Sequence, residues 1–263
     1  MSSTASISFG LPEVVLVSGA ASGLGHELCR LLVSCGVETV GVDIAPAQAD
    51  LAVERLYRHV AGDVAQEATW QEAVRTVQGR TLGLVTSAAV LDVGTVTEAT
   101  AQQLSRAFDV NVAGTAFAMK VALPLMIAVG GGPVVAVASV NATLAEQQLA
   151  IYNATKAAVR QLARTAAMDH ARQGVRVNVL SPGPIMAGLF KRHLESAADS
   201  DRFLATRSAR QPNGKILNAE EVARAALFLL SDGASALIGA DVVADGGLTA
   251  SFDFRTGAEG ASV

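Results

Sequence analysis

Cysteine and histidine are scarce in this 263-residue sequence, which contains two and four of them respectively. Cys29 and Cys35 stand six residues apart in a predicted helix, outside any CxxC pattern, and we expect two buried thiols in a reducing compartment. The histidines are scattered along the chain: His26, His59, His170 and His193. Their spacing is not that of zinc ligands, and we expect them on the surface or in a lid. Neither a disulfide framework nor a metal centre is predicted.

Charge is also sparse, at 17% of the residues, and the formal net charge of −4 comes from interspersed residues of both signs. No basic face for nucleic acid or a membrane is expected, so the predicted partner is a small molecule. The first ten residues lack a positive segment ahead of an apolar stretch, which predicts no signal peptide. The longest apolar stretch, residues 115–129, is broken by Lys120 and Pro124 and falls short of the about 20 residues of a membrane helix. We expect a soluble cytoplasmic protein.

Apolar residues and glycine are abundant, and short apolar runs alternate with longer helical patterns, which is typical of βαβ units in a parallel sheet. Strands are predicted at residues 14–17, 39–42, 58–61, 82–85, 134–138, 176–180 and 241–243. Helices are predicted at 25–34, 67–78, 100–129, 150–172 and 219–230. These elements predict one α/β domain with a doubly wound, seven-stranded parallel sheet of the Rossmann type. Its core covers about 13–248, with an irregular substrate lid at about 184–215 and a surface tail at 249–263.

A glycine-rich loop follows the first predicted strand and reads Ser18-Gly19-Ala20-Ala21-Ser22-Gly23-Leu24-Gly25. Glycines let the chain turn sharply and let backbone N–H groups approach a pyrophosphate at a helix N-terminus. The spacing G-x-x-x-G-x-G differs from the commoner G-x-G-x-x-G, and a purely structural turn is the alternative interpretation. The position of the loop between a strand and a helix favours a dinucleotide site.

Two acidic residues end the next two predicted strands. Asp43 stands where a carboxylate hydrogen-bonds the adenosine ribose, and Asp63 stands where it could meet the adenine ring. The negative charge of Asp43 would face the 2′-phosphate of NADP(H), and the positions that often hold a cation for that phosphate carry Ser22 and Ile44-Ala45 instead. The sequence therefore predicts NAD(H) as the cofactor. The alternative is that Asp43 caps a turn and that a lid arginine such as Arg207 meets the phosphate.

The candidate reacting group is a tyrosine with a lysine four residues later, Tyr152 and Lys156, on one face of a predicted helix. A tyrosine pKa of about 10 is too high for a base at neutral pH, so the neighbouring cation is needed. Ser139 ends the fifth predicted strand, where doubly wound folds bind ligands. Asn111 lies in the middle of a predicted helix, where an amide is not locally favoured, and is interpreted as a support for a water molecule or for the lysine.

Together these residues resemble the short-chain dehydrogenase/reductase family over about residues 13–248. In that family the tyrosine is the general acid/base, the serine binds the substrate oxygen, the lysine holds the nicotinamide ribose and the asparagine anchors a relay water. The resemblance assigns these roles to Tyr152, Ser139, Lys156 and Asn111. It further implies a set of cofactor-binding residues: Gly19, Ser22, Gly23, Leu24, Gly25, Asp43, Asp63, Val64, Ala88, Tyr152, Lys156, Pro182, Gly183 and Ile185.

The sequence departs from the family pattern in two places. Thr86-Ser87-Ala88-Ala89 replaces the usual Asn-Asn-Ala-Gly after the fourth strand, and Ile185-Met186-Ala187 lacks the threonine that often meets the carboxamide, a contact that backbone groups of Ile185 could supply. The late Asp-Gly-Gly of the family is matched by Asp245-Gly246-Gly247. The altered fourth-strand segment motivates one alternative, a catalytically inactive dinucleotide-binding sensor. A second alternative is a 3-oxoacyl-thioester reductase, which usually prefers NADPH.

The predicted reaction is hydride transfer between nicotinamide and a secondary alcohol or ketone. Polar residues border the expected pocket: Asn141, Thr143, Glu146, Gln148, Lys191, Arg192 and His193. They hint at a polyol, a sugar or a hydroxy acid. Related enzymes are usually homotetramers, and the same assembly is expected here because helix 150–172 carries small residues on several faces: Ala154, Ala158, Ala166 and Ala167.

Overall fold

The computed structural model describes residues 8–250 and, within them, a sheet of seven parallel strands in the order β3-β2-β1-β4-β5-β6-β7. The strands are β1 (Val14–Ser18), β2 (Glu38–Asp43), β3 (Tyr57–Ala61), β4 (Leu82–Thr86), β5 (Gly132–Val137), β6 (Val175–Pro182) and β7 (Asp241–Ala244). All seven predicted strands are present, and their observed bounds differ from the predicted ones by two residues or fewer. The predicted tail from residue 251 onward lies outside the described residues.

Helices cover both faces of the sheet. They are α1 (Gly23–Ser34), α2 (Ala49–Ala52), α3 (Glu67–Val74), α4 (Ala101–Phe108), α5 (Gly114–Ala128), α6 (Ala150–His170), α7 (Gly188–Glu195), α8 (Ser200–Ala209) and α9 (Ala219–Leu230). Helices α3, α5 and α6 pack on one face, and α1 and α9 pack on the other. Successive strand residues alternate between the two layers, as Leu16 and Val17 do, because side chains along a strand point to opposite faces.

The predicted helix 100–129 is interrupted by a π-helical turn and is not one continuous α-helix. A π-helical segment, Asp109–Ala113, joins α4 to α5 and contains Asn111. The whole run, Ala101–Ala128, is long and apolar enough to span a membrane by length and composition. Its α5 part is nevertheless buried against the sheet, through residues such as Ala122 and Met126, as expected of a core helix.

Three further predictions need correction. The lid was expected to be irregular, but it contains α7 and α8. Helix α3 ends at Val74 rather than near residue 78. Cys29 is buried as expected, whereas Cys35 is exposed because α1 ends at Ser34 and Cys35 follows it as the C-cap.

The strand order places a crevice beyond the carboxyl ends of the strands. The sequence runs outward from β1 to β3 on one side and from β4 to β7 on the other, so the connections after β1 and β4 diverge at their carboxyl ends. Ligands of doubly wound sheets bind at such a switch point. The glycine-rich loop follows β1, and the altered segment Ser87–Ala89 follows β4.

Candidate active site

A cavity of about 1380 Å³ opens along the carboxyl ends of the strands and is covered by the lid. This volume exceeds the 300–1,000 Å³ of a typical small-molecule pocket, so a dinucleotide and a substrate can share it. Most of the predicted site residues line it: Gly19, Ser22, Gly23, Leu24, Asp43, Asp63, Val64, Ala88, Ser139, Tyr152, Lys156, Pro182, Gly183 and Ile185. Gly25 and Asn111, both in the described part of the chain, lie outside this lining.

The glycine-rich loop turns directly into α1, which begins at Gly23 with Ser22 as the N-cap residue. Gly25 packs against the loop itself: a Cβ on Gly25 would lie 2.3 Å from the backbone oxygen of Gly19. A side chain there would push the loop away from the helix. Gly25 therefore shapes the glycine-rich turn by close packing rather than by facing the cavity.

The loop also meets the start of the lid. Gly23 and Gly188 both adopt positive φ angles, of 60° and 52°, and a Cβ on Gly23 would lie 3.2 Å from the Cα of Gly188. Because α7 begins at Gly188, the amino ends of α1 and α7 converge beside the same part of the cavity. The partial positive charge at helix N-termini favours an anion in this place.

The carboxylate of Asp43 is held by backbone donors. Its Oδ2 accepts a hydrogen bond from Ala21 N at 3.0 Å, and its Oδ1 accepts one from Ala45 N at 3.0 Å. Each oxygen keeps a further lone pair for a ligand. Gln48 strengthens the arrangement, because its side-chain amide donates to the backbone oxygen of Ala21 at 2.8 Å. Asp43 thus lies in the cavity with a fixed orientation before any ligand arrives.

Asp63 has a more exposed place at the end of β3. Its Oδ1 accepts a hydrogen bond from Ala65 N at 2.9 Å, which forms the turn leading toward α3. Its neighbour Val64 is buried and lines the cavity as well. Asp63 therefore combines a local turn with a place in the cavity lining.

The altered segment after β4 is tied to the glycine-rich loop through Ser18. The Ser18 hydroxyl accepts hydrogen bonds from the backbone N–H groups of Ser87, at 3.0 Å, and of Ala88, at 3.1 Å. These contacts use backbone atoms, so they do not require the asparagines of the family pattern. Thr86 occupies the first altered position, and its Oγ1 is buried with no hydrogen-bond partner among the described residues.

Lys156 is almost completely buried beside Tyr152. Its Nζ donates to the backbone oxygen of Val137 at 2.8 Å and lies 5.7 Å from the centroid of the tyrosine ring. Burial lowers the pKa of Lys156 to about 8, so the side chain still carries its charge at neutral pH. An ammonium at this distance favours the phenolate form of the tyrosine.

Tyr152 remains protonated at neutral pH in the absence of ligands. Burial raises its pKa to about 12, a hydrogen bond with the Ser139 side chain opposes that rise, and the charge of Glu146 adds to it. Ser139 caps the short turn Val140–Ala142, and its Oγ accepts a hydrogen bond from Asn141 N at 3.1 Å. The O–H of Ser139 is thereby left to donate toward Tyr152 or a substrate oxygen.

Asn111 acts as a clamp between two chain segments. Its Nδ2 donates to the backbone oxygen of Val90 at 3.0 Å and to Thr155 Oγ1 at 2.9 Å, and its Oδ1 accepts from Val90 N at 2.8 Å. Its side-chain contacts thus go to the loop after β4 and to the residue before Lys156. The side chain supports the turn of α6 next to Lys156 rather than the lysine itself, and support of a water molecule stays a prediction.

A polar network joins the lid to this centre. Arg207 of α8 forms a salt bridge with Glu146, and its guanidinium lies 5.0 Å from the ring centroid of Phe203. Glu146 accepts a hydrogen bond from Asn141 Nδ2 at 3.1 Å, and the same amide donates to Asn153 Oδ1 at 3.1 Å. The lid is therefore connected to the loop that carries Ser139 and to the helix that carries Tyr152.

Several cavity residues were absent from the sequence prediction. They are Arg106, Arg210 and Gln211, of which Arg210 is the C-cap residue of α8 and Gln211 follows it. Because the last two lie just past the end of the helix, no helical spacing marks them in the sequence. Among the predicted border residues, Asn141, Glu146, Gln148, Arg192 and His193 line the cavity. Thr143 and Lys191, also within the described chain, are not part of the lining.

The cavity fits a nicotinamide dinucleotide in its chemistry as well as its size. The glycine-rich loop offers backbone donors for a pyrophosphate, the oriented Asp43 offers acceptors for ribose hydroxyls, and Lys156 offers donors at the other end. No group of three or more His, Cys, Asp or Glu side chains that could hold a metal ion is found among residues 8–250.

Comparisons with known proteins agree with this geometry. The family model described as enoyl-(acyl carrier protein) reductase matches residues 19–249. The chain is 35% identical to a cis-4-hydroxycyclohexanecarboxylate dehydrogenase of Sinomonas cyclohexanicum, covering 90% of this chain and 97% of that protein. It is 33% identical to a D-threitol dehydrogenase of Mycolicibacterium smegmatis, covering 90% and 93%. The ligand-free aldohexose dehydrogenase of Thermoplasma acidophilum superposes with a TM-score of 0.85 at 26% identity, covering 94% of this chain and all of that one.

Proposed function

The chain belongs to the short-chain dehydrogenase/reductase family and is an oxidoreductase acting on CH–OH groups, and from this premise we propose an NAD(H)-dependent dehydrogenase of secondary alcohols. The family binds a nicotinamide dinucleotide. One observation carries the proposal: the three reacting side chains line the same cavity as the backbone-held carboxylate that would bind the cofactor. The reacting side chains are Ser139, Tyr152 and Lys156, and the carboxylate is that of Asp43.

The three reacting side chains have distinct tasks. A bound nicotinamide dinucleotide supplies the hydride acceptor for alcohol oxidation. Tyr152 takes the hydroxyl proton as the carbinol carbon loses its hydride and becomes a carbonyl, and it returns the proton in the reverse direction. Ser139 donates a hydrogen bond to the substrate oxygen and stabilises the negative charge that develops on it. Lys156 favours the phenolate by its charge, while Asn111 positions the adjacent turn of α6 through Thr155.

The test is a panel of secondary alcohols, comprising cyclic alcohols, polyols, sugars and hydroxy acids, each assayed with NAD⁺ and with NADP⁺. We expect reduction of NAD⁺ by at least one secondary alcohol and none by matched tertiary alcohols, which lack the carbinol hydrogen. Turnover is followed by absorbance at the reduced nicotinamide band. If the protein binds NADH but oxidises no alcohol and reduces no ketone, a non-catalytic sensor replaces this proposal.

A reductase of 3-oxoacyl thioesters is the second candidate. The matching family model, described as enoyl-(acyl carrier protein) reductase, supports an acyl thioester as the substrate class, although an enoyl reductase reduces a carbon–carbon double bond and not a ketone. The alcohol dehydrogenases and polyol dehydrogenases among the relatives favour the first candidate, a dehydrogenase of secondary alcohols. The same panel therefore includes acetoacetyl thioesters with NADPH. Faster reduction of the thioester than of any simple ketone would select the reductase.

We also propose a homotetramer, which would bury some of the large apolar side chains exposed on the single chain. These include Leu104, Phe108, Met168, Phe228 and Val243. Four alanines of helix 150–172 were expected to contact another subunit. Ala167 is buried in the core of its own chain and is therefore unavailable for such a contact, whereas Ala154 is exposed. Light scattering at micromolar concentration should give four times the chain mass of 26.9 kDa. A stable monomer would contradict the proposal.

A further inference from the structure

The lid contributes several polar side chains to the cavity lining, and the proposed reaction uses none of them. Arg207 near the end of α8, Arg210 as its C-cap residue and Gln211 in the turn that follows line the cavity together. Arg192 on α7 lines it as well. None of these side chains is needed for the proton or hydride transfer described above, so they are available to recognise another part of the substrate.

Gln211 is the most informative of them. Only 5% of the residue is exposed, yet its side-chain amide forms no hydrogen bond with any described residue and faces the cavity. The amide atoms are not among the fully buried side-chain polar atoms that lack a partner, so they reach the open space of the cavity, where water or a ligand can bind them. The side chain is therefore suited to a ligand that supplies an oxygen or a donor at this place.

The charge of the lid indicates the sign of that ligand. Arg207 is neutralised by Glu146, and Arg106 lies 3.8 Å from Asp92. Arg192 and Arg210, in contrast, form no ion pair with the described residues, and both lie at the rim of the cavity. This part of the cavity thus carries an excess of positive charge, although the whole chain is negative. Guanidinium groups suit carboxylates, because their planar donors match the two oxygens.

The lining of the same cavity also has an apolar part, which we call the apolar band: Leu91, Leu144, Leu189 and Phe190. We propose that the substrate is a secondary alcohol with a carboxylate at its far end, bound by Arg210 and Gln211 with Arg192 nearby, and with a carbon skeleton against this apolar band. The inference rests on the proposed dehydrogenase function and names its substrate class. It sets hydroxy acids above uncharged polyols and sugars.

The turnover test compares hydroxy carboxylates with their own carboxamides, which have nearly the same shape and no charge. Across a series of cyclic and open-chain hydroxy acids, the best carboxylate should exceed its carboxamide at least about tenfold in kcat/KM, the effect of one charged hydrogen bond. Arg210→Gln and Gln211→Leu should each raise KM for the carboxylate about tenfold, with kcat and the carboxamide values changed less than about twofold. Arg202→Gln, at an exposed arginine of α8 outside the cavity lining, is the matched control.

A binding test needs no turnover. Calorimetry measures the binding of each carboxylate and of its carboxamide to the protein, with and without NADH. These ligands have the carbon skeletons of the test substrates but lack the hydroxyl group. We expect selective binding of the carboxylates, weakened about tenfold in Arg210→Gln and unchanged in Arg202→Gln. Selective binding without any alcohol oxidation would refute the dehydrogenase and keep the carboxylate site.

Two results would overturn the carboxylate site. The first is equal or better kcat/KM and binding for the uncharged member of every pair. The second is a loss of carboxylate and carboxamide activity to the same extent in Arg210→Gln and Gln211→Leu, since a merely structural role would lower both. A good uncharged polyol substrate with no response to either substitution would point to Glu146 and Asn141 as the groups that recognise hydroxyls.

Discussion

Replacing Tyr152 by phenylalanine is expected to lower kcat by about 10²–10⁴-fold, the usual contribution of a general acid/base. The ring and its packing survive the change, and only the transferable proton is removed. The dissociation constant for NADH, measured by fluorescence or calorimetry, should change less than about threefold. The two measurements together separate a chemical defect from a folding or cofactor-binding defect.

The comparison variants for this experiment are Lys156→Ala and Ser139→Ala. Lys156→Ala should weaken NADH binding as well as turnover, because Lys156 is assigned contacts to both the cofactor and the tyrosine. Ser139→Ala should lower kcat while leaving the NADH affinity nearly unchanged, because the serine is assigned to the substrate oxygen. Turnover within about tenfold of the wild type in Tyr152→Phe, with a good substrate, would show that another group transfers the proton.

Wild-type protein should bind NADH about tenfold to a thousandfold more tightly than NADPH, and Asp43→Asn should remove most of that difference. The carboxylate of Asp43 is fixed by Ala21 N and Ala45 N, so it cannot easily turn away from a 2′-phosphate. Repulsion between the two negative charges at close range costs about 1–4 kcal/mol in a partly desolvated site. The measurement is the pair of dissociation constants in both proteins.

Asparagine is the informative replacement, because it keeps the size of the side chain and an oxygen acceptor while removing the charge. Asp50→Asn on α2 is the matched control, since Asp50 is exposed, binds His26 and lies outside the cavity lining. It should leave the preference unchanged. Tighter NADPH than NADH binding by the wild type would overturn the assignment, and an unchanged preference in Asp43→Asn would place its cause elsewhere.

Local patterns in the sequence predicted the sheet well and the lid poorly. The strands are continuous apolar runs bounded by turn residues, so each is recognisable within a short window, as at Val14–Ser18. The π-helical turn around Asn111 has no comparable signature, because one extra residue in a turn does not change the apolar pattern of a long helix. Helices α7 and α8 have no buried residues. The apolar residues of α8 do not gather on one face, and α7 is amphipathic but only eight residues long, so neither gives a clear helical pattern in the sequence.

In the candidate site, too, some features could be predicted from the sequence and others could not. Tyr152 and Lys156 share a helix, and the glycine-rich loop is continuous, so their spacing alone suggests their chemistry. The salt bridge between Glu146 and Arg207 joins residues 61 positions apart, and the clamp of Asn111 on Thr155 spans 44. Such pairs depend on how distant elements pack. For the same reason no local pattern indicates that Gln211 lines the cavity.

The contact between Gly23 and Gly188 has a consequence for protein engineering. The glycine-rich turn and the first residue of α7 are packed so closely that a methyl group at either position would displace the other backbone. A chimera that takes its lid from a relative would therefore need glycine at both junction positions. Residues farther along the lid, such as Arg210, have no such restriction, so variant libraries directed there could change substrate range while leaving the nucleotide cradle intact.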